Sequence, residues 1–116
     1  MAKDKDCIFC KIAGGEIKSD LLYHDDEVVA FRDINPKAPT HILVIPRDHI
    51  PSLNDTTPEH KRLLGHMVNV ATALARSEKL DSKGYRLLLN CGPDSGQEVP
   101  HIHLHLLGGK KLGPLG

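Results

Sequence analysis

The chain has 116 residues, of which 40% are hydrophobic and 26% charged, as expected for one globular domain spanning residues 1–116. Basic and acidic residues balance at 15 each, so the chain lacks the basic excess that general binding to nucleic acid or to a membrane surface requires. No apolar run reaches membrane-spanning length and the first residues show no secretory pattern, which predicts a cytoplasmic protein. Because aromatics make up only 3%, the small aliphatic core favours a dimer.

The predicted elements begin with a short N-terminal helix in "CIFCKIAGGEI", closed by a glycine pair. The β-rich runs "LLYHD" and "EVVAFRDI" meet at two aspartates, which predicts a hairpin, and "THILVIP" predicts a third strand. One long helix is predicted to begin at Pro58, with Thr57 as its N-cap and Gly84 marking its exit. Its apolar residues recur at spacings of three and four: Leu63, Met67, Val70 and Leu74.

The remaining runs complete the predicted sheet. "YRLLLNC" predicts a buried strand, "GPDSGQE" a loop and "HIHLHLL" the last strand. A loop this short cannot hold the crossover that a parallel pair needs, so these two strands are expected to run antiparallel. The sequence therefore predicts an α+β fold, with an antiparallel sheet of about five strands, one long helix and a short N-terminal helix.

Three histidines alternate with apolar residues in the last predicted strand, at positions 101, 103 and 105. Residues two apart on a strand share a face, so the imidazoles are expected on one side and the apolar residues on the core side. Such a row suits zinc ligation, acid–base catalysis near neutral pH or nucleophilic attack on a phosphoryl or acyl centre. Taken alone, it also suits a solvated polar face.

The loop before this strand has features of a phosphate site. Gly92 and Gly96 allow backbone N–H groups to approach an anion closely, and Asn90 and Gln97 add polar side chains. An ordinary surface turn explains the loop alone equally well. Its position directly before the histidine row favours a phosphoryl-transfer site.

"HIHLHLL" resembles the His-x-His-x-His-x-x motif of the histidine triad (HIT) superfamily, and the "LLGG" that ends it is similar to the Hint branch. The stretches "CIFCKIAGGEI", "AFRDINPKAPTHILVIP" and "GYRLLLNCGPDSGQEV" match the same branch in order, so the resemblance spans nearly the whole chain. It implies a HIT-like fold, a homodimer and a purine nucleoside phosphoramidase. Such an enzyme hydrolyses the P–N bond of nucleoside 5′-phosphoramidates, with acyl-adenylates as a further substrate class, and requires no cofactor for the chemistry.

The resemblance also implies roles for individual residues. His103 corresponds to the nucleophile that forms a nucleotidyl-histidine intermediate, His105 to its phosphate-side assistant, and His41 and His101 to the remaining catalytic histidines. Asp33 corresponds to the carboxylate that accepts hydrogen bonds from the ribose hydroxyls. The residues that match the apolar purine pocket are Ile8, Phe9, Ile12, Ile17, Phe31, Ile34 and Leu43. Those that match the phosphate side are Asn90, Gly96, Gln97 and Val99.

A second group of residues suggests a metal site. Cys7 and Cys10 form a C-x-x-C pair, and some bacterial proteins of this family carry zinc on such a pair, a histidine that matches His49 and the first triad histidine, here His101. The resemblance thus implies a structural zinc on a Cys₂His₂ set. Two reduced thiols beside a surface histidine are the alternative.

Three other functions stay open at the level of sequence. Within enzymes, the alternative is a dinucleoside polyphosphate hydrolase or nucleotidyl transferase. From other classes, the alternatives are a nucleotide-binding regulatory or scaffold module with incidental hydrolysis and a zinc-dependent structural module. The presence of Asp33, His41 and all three triad histidines argues against a retired active site.

Overall fold

The computed structural model describes residues 3–116, which form a five-stranded antiparallel sheet with helices on both faces. The helices are α1 (Ile8–Ala13) and α2 (Lys61–Ser77). The strands are β1 (Leu21–His24), β2 (Val28–Arg32), β3 (Thr40–Pro46), β4 (Tyr85–Leu89) and β5 (Leu104–Gly108), in the order β1-β2-β3-β5-β4. The predicted α+β class, the hairpin and the antiparallel sheet are confirmed.

Side chains of the central strands point alternately to the two faces of the sheet, and this divides the core into two layers. Val28, Ala30, Ile42 and Val44 pack with the apolar stripe of α2, whereas the intervening residues, such as Phe31 and Leu43, pack with α1. The long helix α2 therefore supports one face of the sheet. The short helix α1 covers only part of the other face, which leaves room there for a site.

The two ends of the long helix are set by different means. A 3₁₀ turn (Pro58–His60) precedes α2, and Thr57 caps that turn as predicted, its hydroxyl accepting from the Glu59 N–H. The His60 ring accepts from the Thr57 N–H at 2.9 Å, a role that its sequence context did not indicate. The prediction that Gly84 marks the helix exit was wrong, because α2 ends at Ser77 and Lys79 takes the left-handed conformation (φ 61°).

The last strand is shorter than predicted, because β5 begins at Leu104 and the first two triad histidines precede it. The β3–β5 ladder stops at the Val44–Leu104 pair. Two residues further, β3 reaches Pro46, which has no N–H to continue the ladder. The Ile102 N–H donates instead to the Ile50 carbonyl at 2.8 Å. The segment just before β5 is therefore bonded to the residues that come after β3, and not to β3 itself.

Strand β4 was predicted to be buried, but all five of its residues are only half-buried. Its position explains the difference, since β4 is the edge of the sheet and pairs with β5 on one side. Neither helix in the described residues 3–116 is long and apolar enough to cross a membrane.

Candidate active site

A cavity of about 490 Å³ opens on the α1 face of the sheet and collects most of the predicted site residues. Its lining includes three predicted catalytic histidines and Asp33. It also includes the predicted pocket residues Ile8, Phe9, Ile12, Ile17, Phe31, Ile34, Leu43, Asn90, Gly96 and Val99. Of the residues predicted to be catalytic or to bind substrate, Gln97 and His101 do not line it.

His41 and His105 form a hydrogen-bonded relay whose tautomers follow from a backbone donor. The Lys37 N–H donates to Nδ1 of His41 at 3.0 Å, so that nitrogen carries no proton. The proton of a neutral His41 therefore sits on Nε2, which lies 2.9 Å from Nδ1 of His105 and donates to it. The remaining proton of His105 is on Nε2, and this buried atom has no hydrogen-bond partner among the described residues. The relay thus ends in a donor that lacks an acceptor.

His103 is oriented by the main chain of the first triad histidine. Its Nδ1 lies 2.7 Å from the His101 carbonyl, which can only accept, so Nδ1 carries the proton. Nε2 of a neutral His103 then keeps an unshared pair. The Phe9 ring meets the His103 ring edge to face at 5.0 Å between centroids, and the His105 ring lies 4.9 Å away on another side. A fixed, unprotonated ring nitrogen in a cavity is what a nucleophilic histidine needs.

The surroundings of the relay keep its histidines neutral. Burial lowers the pKa of His105 to about 4, with neighbouring His103 and His41 acting in the same direction. Burial also lowers the pKa of His41, against an opposing effect of the Asp33 carboxylate. Near neutral pH, the His41 and His105 rings are therefore both neutral and both carry their proton on Nε2.

The wall near β2 combines a carboxylate with exposed apolar side chains. Asp33 accepts the Asn35 N–H at 2.9 Å and places its second oxygen 3.6 Å from Nε2 of His41. Ile34 is 86% exposed, and Ile8 and Ile17 are also exposed, although all three line the cavity. Apolar side chains held open around a cavity favour a flat apolar ligand.

The glycine loop is present, but its glutamine has a different task from the one predicted. The Gln97 side-chain oxygen accepts the Gly92 N–H at 2.9 Å, and its amide nitrogen donates to the Pro51 and Val99 carbonyls. Gln97 therefore holds the loop together rather than facing the cavity. Gly92 and Gly96 take positive φ values of 84° and 89°, which side chains other than glycine adopt with strain.

The predicted metal ligands also come together, next to the cavity. The ligand atoms of Cys7, Cys10, His49 and His101 lie within 4.8 Å of one another. Three of the S···N distances are 3.4, 3.4 and 3.6 Å. A tetrahedral zinc with Zn–S of about 2.3 Å and Zn–N of about 2.0 Å would separate such ligands by about 3.5 Å. The arrangement therefore fits a tetrahedral zinc.

The outer contacts of this cluster support the same interpretation. Nε2 of His101 donates to the Pro46 carbonyl at 2.8 Å, which leaves Nδ1 free to bind a metal. Nε2 of His49 lies 3.8 Å from the Asp4 carboxylate. His101 is fully buried in this cluster, so it contributes its carbonyl to the catalytic side and its ring to the metal side.

A second depression, of about 640 Å³, lies where β4 begins and β5 ends. Its charged lining residues are all basic: Lys79, Lys83, Arg86, Lys110 and Lys111. It is larger than the histidine cavity, but its lining includes no histidine, cysteine or carboxylate. The smaller cavity is therefore the candidate active site.

The sequence did not single out every lining residue. Lys37, Ser19 and Leu88 were missed, together with Lys18, Arg32, Asn35 and Leu107. Lys37 acts through its backbone N–H, which no side-chain pattern reveals. Ser19 precedes a short strand and matches no motif, and Leu88 is an ordinary strand residue.

Comparison with known proteins agrees with this fold. The family model of the HIT domain matches residues 14–112, so the chain belongs to the HIT domain family. It is 53% identical to the purine nucleoside phosphoramidase of Escherichia coli K12 over 96% of this chain and 93% of that protein. It is 47% identical to a 14 kDa zinc-binding protein of Zea mays, over 94% and 86% of the two chains. A histidine triad protein structure from Clostridium difficile superposes with a TM-score of 0.94 at 47% identity, covering 98% of this chain and 99% of that one.

Proposed function

We propose that this chain is a hydrolase that cleaves the P–N bond of purine nucleoside 5′-phosphoramidates, giving a nucleoside monophosphate and an amine. One observation carries the proposal. The unshared pair of His103 Nε2 and the unpartnered donor of His105 Nε2 belong to neighbouring rings of one cavity. A phosphorus centre needs this pair of groups, since the first attacks phosphorus while the second binds a phosphoryl oxygen.

The reaction proceeds in two displacements. Nε2 of His103 attacks the α-phosphorus, a P–Nε2 bond forms and the P–N bond to the amine breaks, with the amine taking a proton from solvent. A water molecule then attacks phosphorus, the P–Nε2 bond breaks and one proton returns to solvent. His105 donates to the phosphoryl oxygen in both steps, and the Lys37 N–H holds the relay in the required tautomer through His41.

Different lining residues would contact the different parts of the substrate. The exposed apolar residues near α1 would stack on the purine, and Asp33 would accept hydrogen bonds from the ribose hydroxyls. Gly96, Asn90 and Val99 also line the cavity and would meet the phosphate. The named activity of the Escherichia coli relative supports this substrate class.

The test is a comparison of His103→Asn with the parent chain. We expect hydrolysis of an adenosine 5′-phosphoramidate to fall by about 10³-fold or more, while adenosine monophosphate still binds. His24→Asn is the matched control, because His24 is an exposed strand residue outside the cavity. Normal turnover by His103→Asn would refute the mechanism. Faster cleavage of a diadenosine polyphosphate than of the phosphoramidate by the parent would instead identify a dinucleoside polyphosphate hydrolase.

We also propose that the Cys₂His₂ cluster holds a structural zinc. Zinc bound there would join α1 to the segment that carries His101 and supply no catalytic group. The support is the S···N spacing and the hydrogen bond that frees His101 Nδ1. Elemental analysis should find about one zinc per parent chain and a marked loss in Cys10→Ser, with Cys91→Ser as the control. Equal zinc in all three chains would contradict the assignment.

A homodimer is the assembly that we propose. Strand β4 lies at the edge of the sheet and pairs with β5 on one side only, and Val68 of α2 is 41% exposed. A second copy pairing with this edge would cover backbone groups that otherwise invite unspecific association. Sedimentation over a range of concentrations should give twice the chain mass, and a persistent monomer would contradict the proposal.

A further inference from the structure

Among the described residues, two buried side-chain polar atoms have no hydrogen-bond partner, and both belong to residues that line the histidine cavity. One is Nε2 of His105, which the proposed function already employs. The other is Oγ of Ser19. A buried hydroxyl without a partner is costly, so a ligand that occupies the cavity is expected to satisfy it.

The backbone pairing brings Ser19 near Asp33, the proposed ribose-binding carboxylate. Leu21 pairs with Phe31, and the Arg32 N–H donates to the Asp20 carbonyl at 3.1 Å, so the two segments continue side by side. This brings Ser19 alongside Asp33, and both residues line the cavity.

The chemistry of the sugar explains why a carboxylate alone is insufficient. An ionised carboxylate accepts hydrogen bonds but donates none, whereas each ribose hydroxyl both donates and accepts. Asp33 can accept a hydrogen bond from a ribose hydroxyl, and the oxygen of that hydroxyl can still accept one from a donor in the cavity. The Ser19 O–H supplies such a donor.

We propose that Ser19 is a second ribose-binding residue, whose hydroxyl donates to a ribose hydroxyl that Asp33 also holds. The inference rests on the proposed function, since it assigns a residue to the nucleotide that this function requires. It makes Ser19 a determinant of the preference for ribonucleotides over deoxyribonucleotides.

The experiment measures equilibrium binding rather than turnover, so that it does not depend on the P–N chemistry. Calorimetry would give the Kd of adenosine 5′-monophosphate and of its 2′-deoxy and 3′-deoxy forms for the parent chain and Ser19→Ala. Ser82→Ala, an exposed serine outside the cavity, is the matched control, and Ser19→Thr retains the hydroxyl. Phosphoramidate turnover by the parent is measured separately.

We expect Ser19→Ala to weaken binding of the ribonucleotide by about 3- to 10-fold, the usual contribution of one neutral hydrogen bond. Binding of one deoxy form should be unchanged by the substitution, and that form identifies the hydroxyl that Ser19 contacts. Equal weakening of all three ligands, or no weakening of any, would overturn the proposal. A parent chain that binds these ligands but cleaves no phosphoramidate would refute the proposed function and leave this test intact.

Discussion

Acidification provides a quantitative test of the histidine relay. Burial and the neighbouring imidazoles lower the pKa of His105 from 6.5 to about 4 in the folded chain. Between these two values the unfolded chain binds a proton at this position and the folded chain does not. Stability is therefore complete above pH 6.5 and falls as the pH drops toward 4, below which no further loss comes from this group. The gap corresponds to about 3 kcal/mol of unfolding free energy.

Urea unfolding at a fixed chain concentration, at several values between pH 7.5 and 4, would measure this loss. Other groups titrate in the same range, so the useful quantity is the difference between the parent and His105→Gln, whose amide does not titrate. The parent should lose about 3 kcal/mol more than this variant across the range. His24→Gln should follow the parent. Parallel curves for the parent and His105→Gln would refute the assignment of a buried, neutral His105.

Further predictions concern residues that hold turns and loops of the fold in place. Burial alone would raise the pKa of Asp25, but hydrogen bonds from Tyr23, His66 and the β1–β2 turn hold that pKa well below its usual range. Asp25→Ala should therefore lower the free energy of unfolding in urea by about 2–4 kcal/mol at pH 7. A Cβ on Gly109 would lie 2.9 Å from Pro39 at φ 93°, so Gly109→Ala should cost about 2 kcal/mol in the same assay, whereas Gly113→Ala, which meets nothing, should cost little. Gln97→Ala removes three loop hydrogen bonds and should raise KM for the phosphoramidate about tenfold; unchanged KM would contradict the bracing role.

Local sequence was sufficient for most of the fold. Period-two alternation in "EVVAFRDI" and "THILVIP" determines which side chains face each helix, and the capping residue Thr57 determines where the turn into α2 begins. The β4 edge could not be predicted in this way, because burial of a strand depends on its neighbours in the sheet. The start of β5 depended on Pro46, which lies more than fifty residues earlier in the chain.

The candidate site shows the same division between local and distant information. Its residue types, the histidine row, Asp33 and the Cys pair, were evident from the sequence and from its resemblance to a family. The hydrogen bonds that orient these groups were not evident from it. A backbone N–H of Lys37 fixes the relay tautomers, and the His101 carbonyl fixes the His103 ring while its own imidazole joins the metal cluster. Hydrogen bonds to main-chain atoms carry no sequence pattern.

By itself, the sequence determined most of the secondary structure and the chemical groups available to the site, because both follow mainly from residue type and local spacing. Tertiary structure alone decided that Gln97 braces the loop, that His101 lies outside the cavity lining and that the buried hydroxyl of the lining residue Ser19 has no partner. The physical reason is that a polar group acquires its function from what lies within hydrogen-bonding distance. That distance is set by segments far apart along the chain.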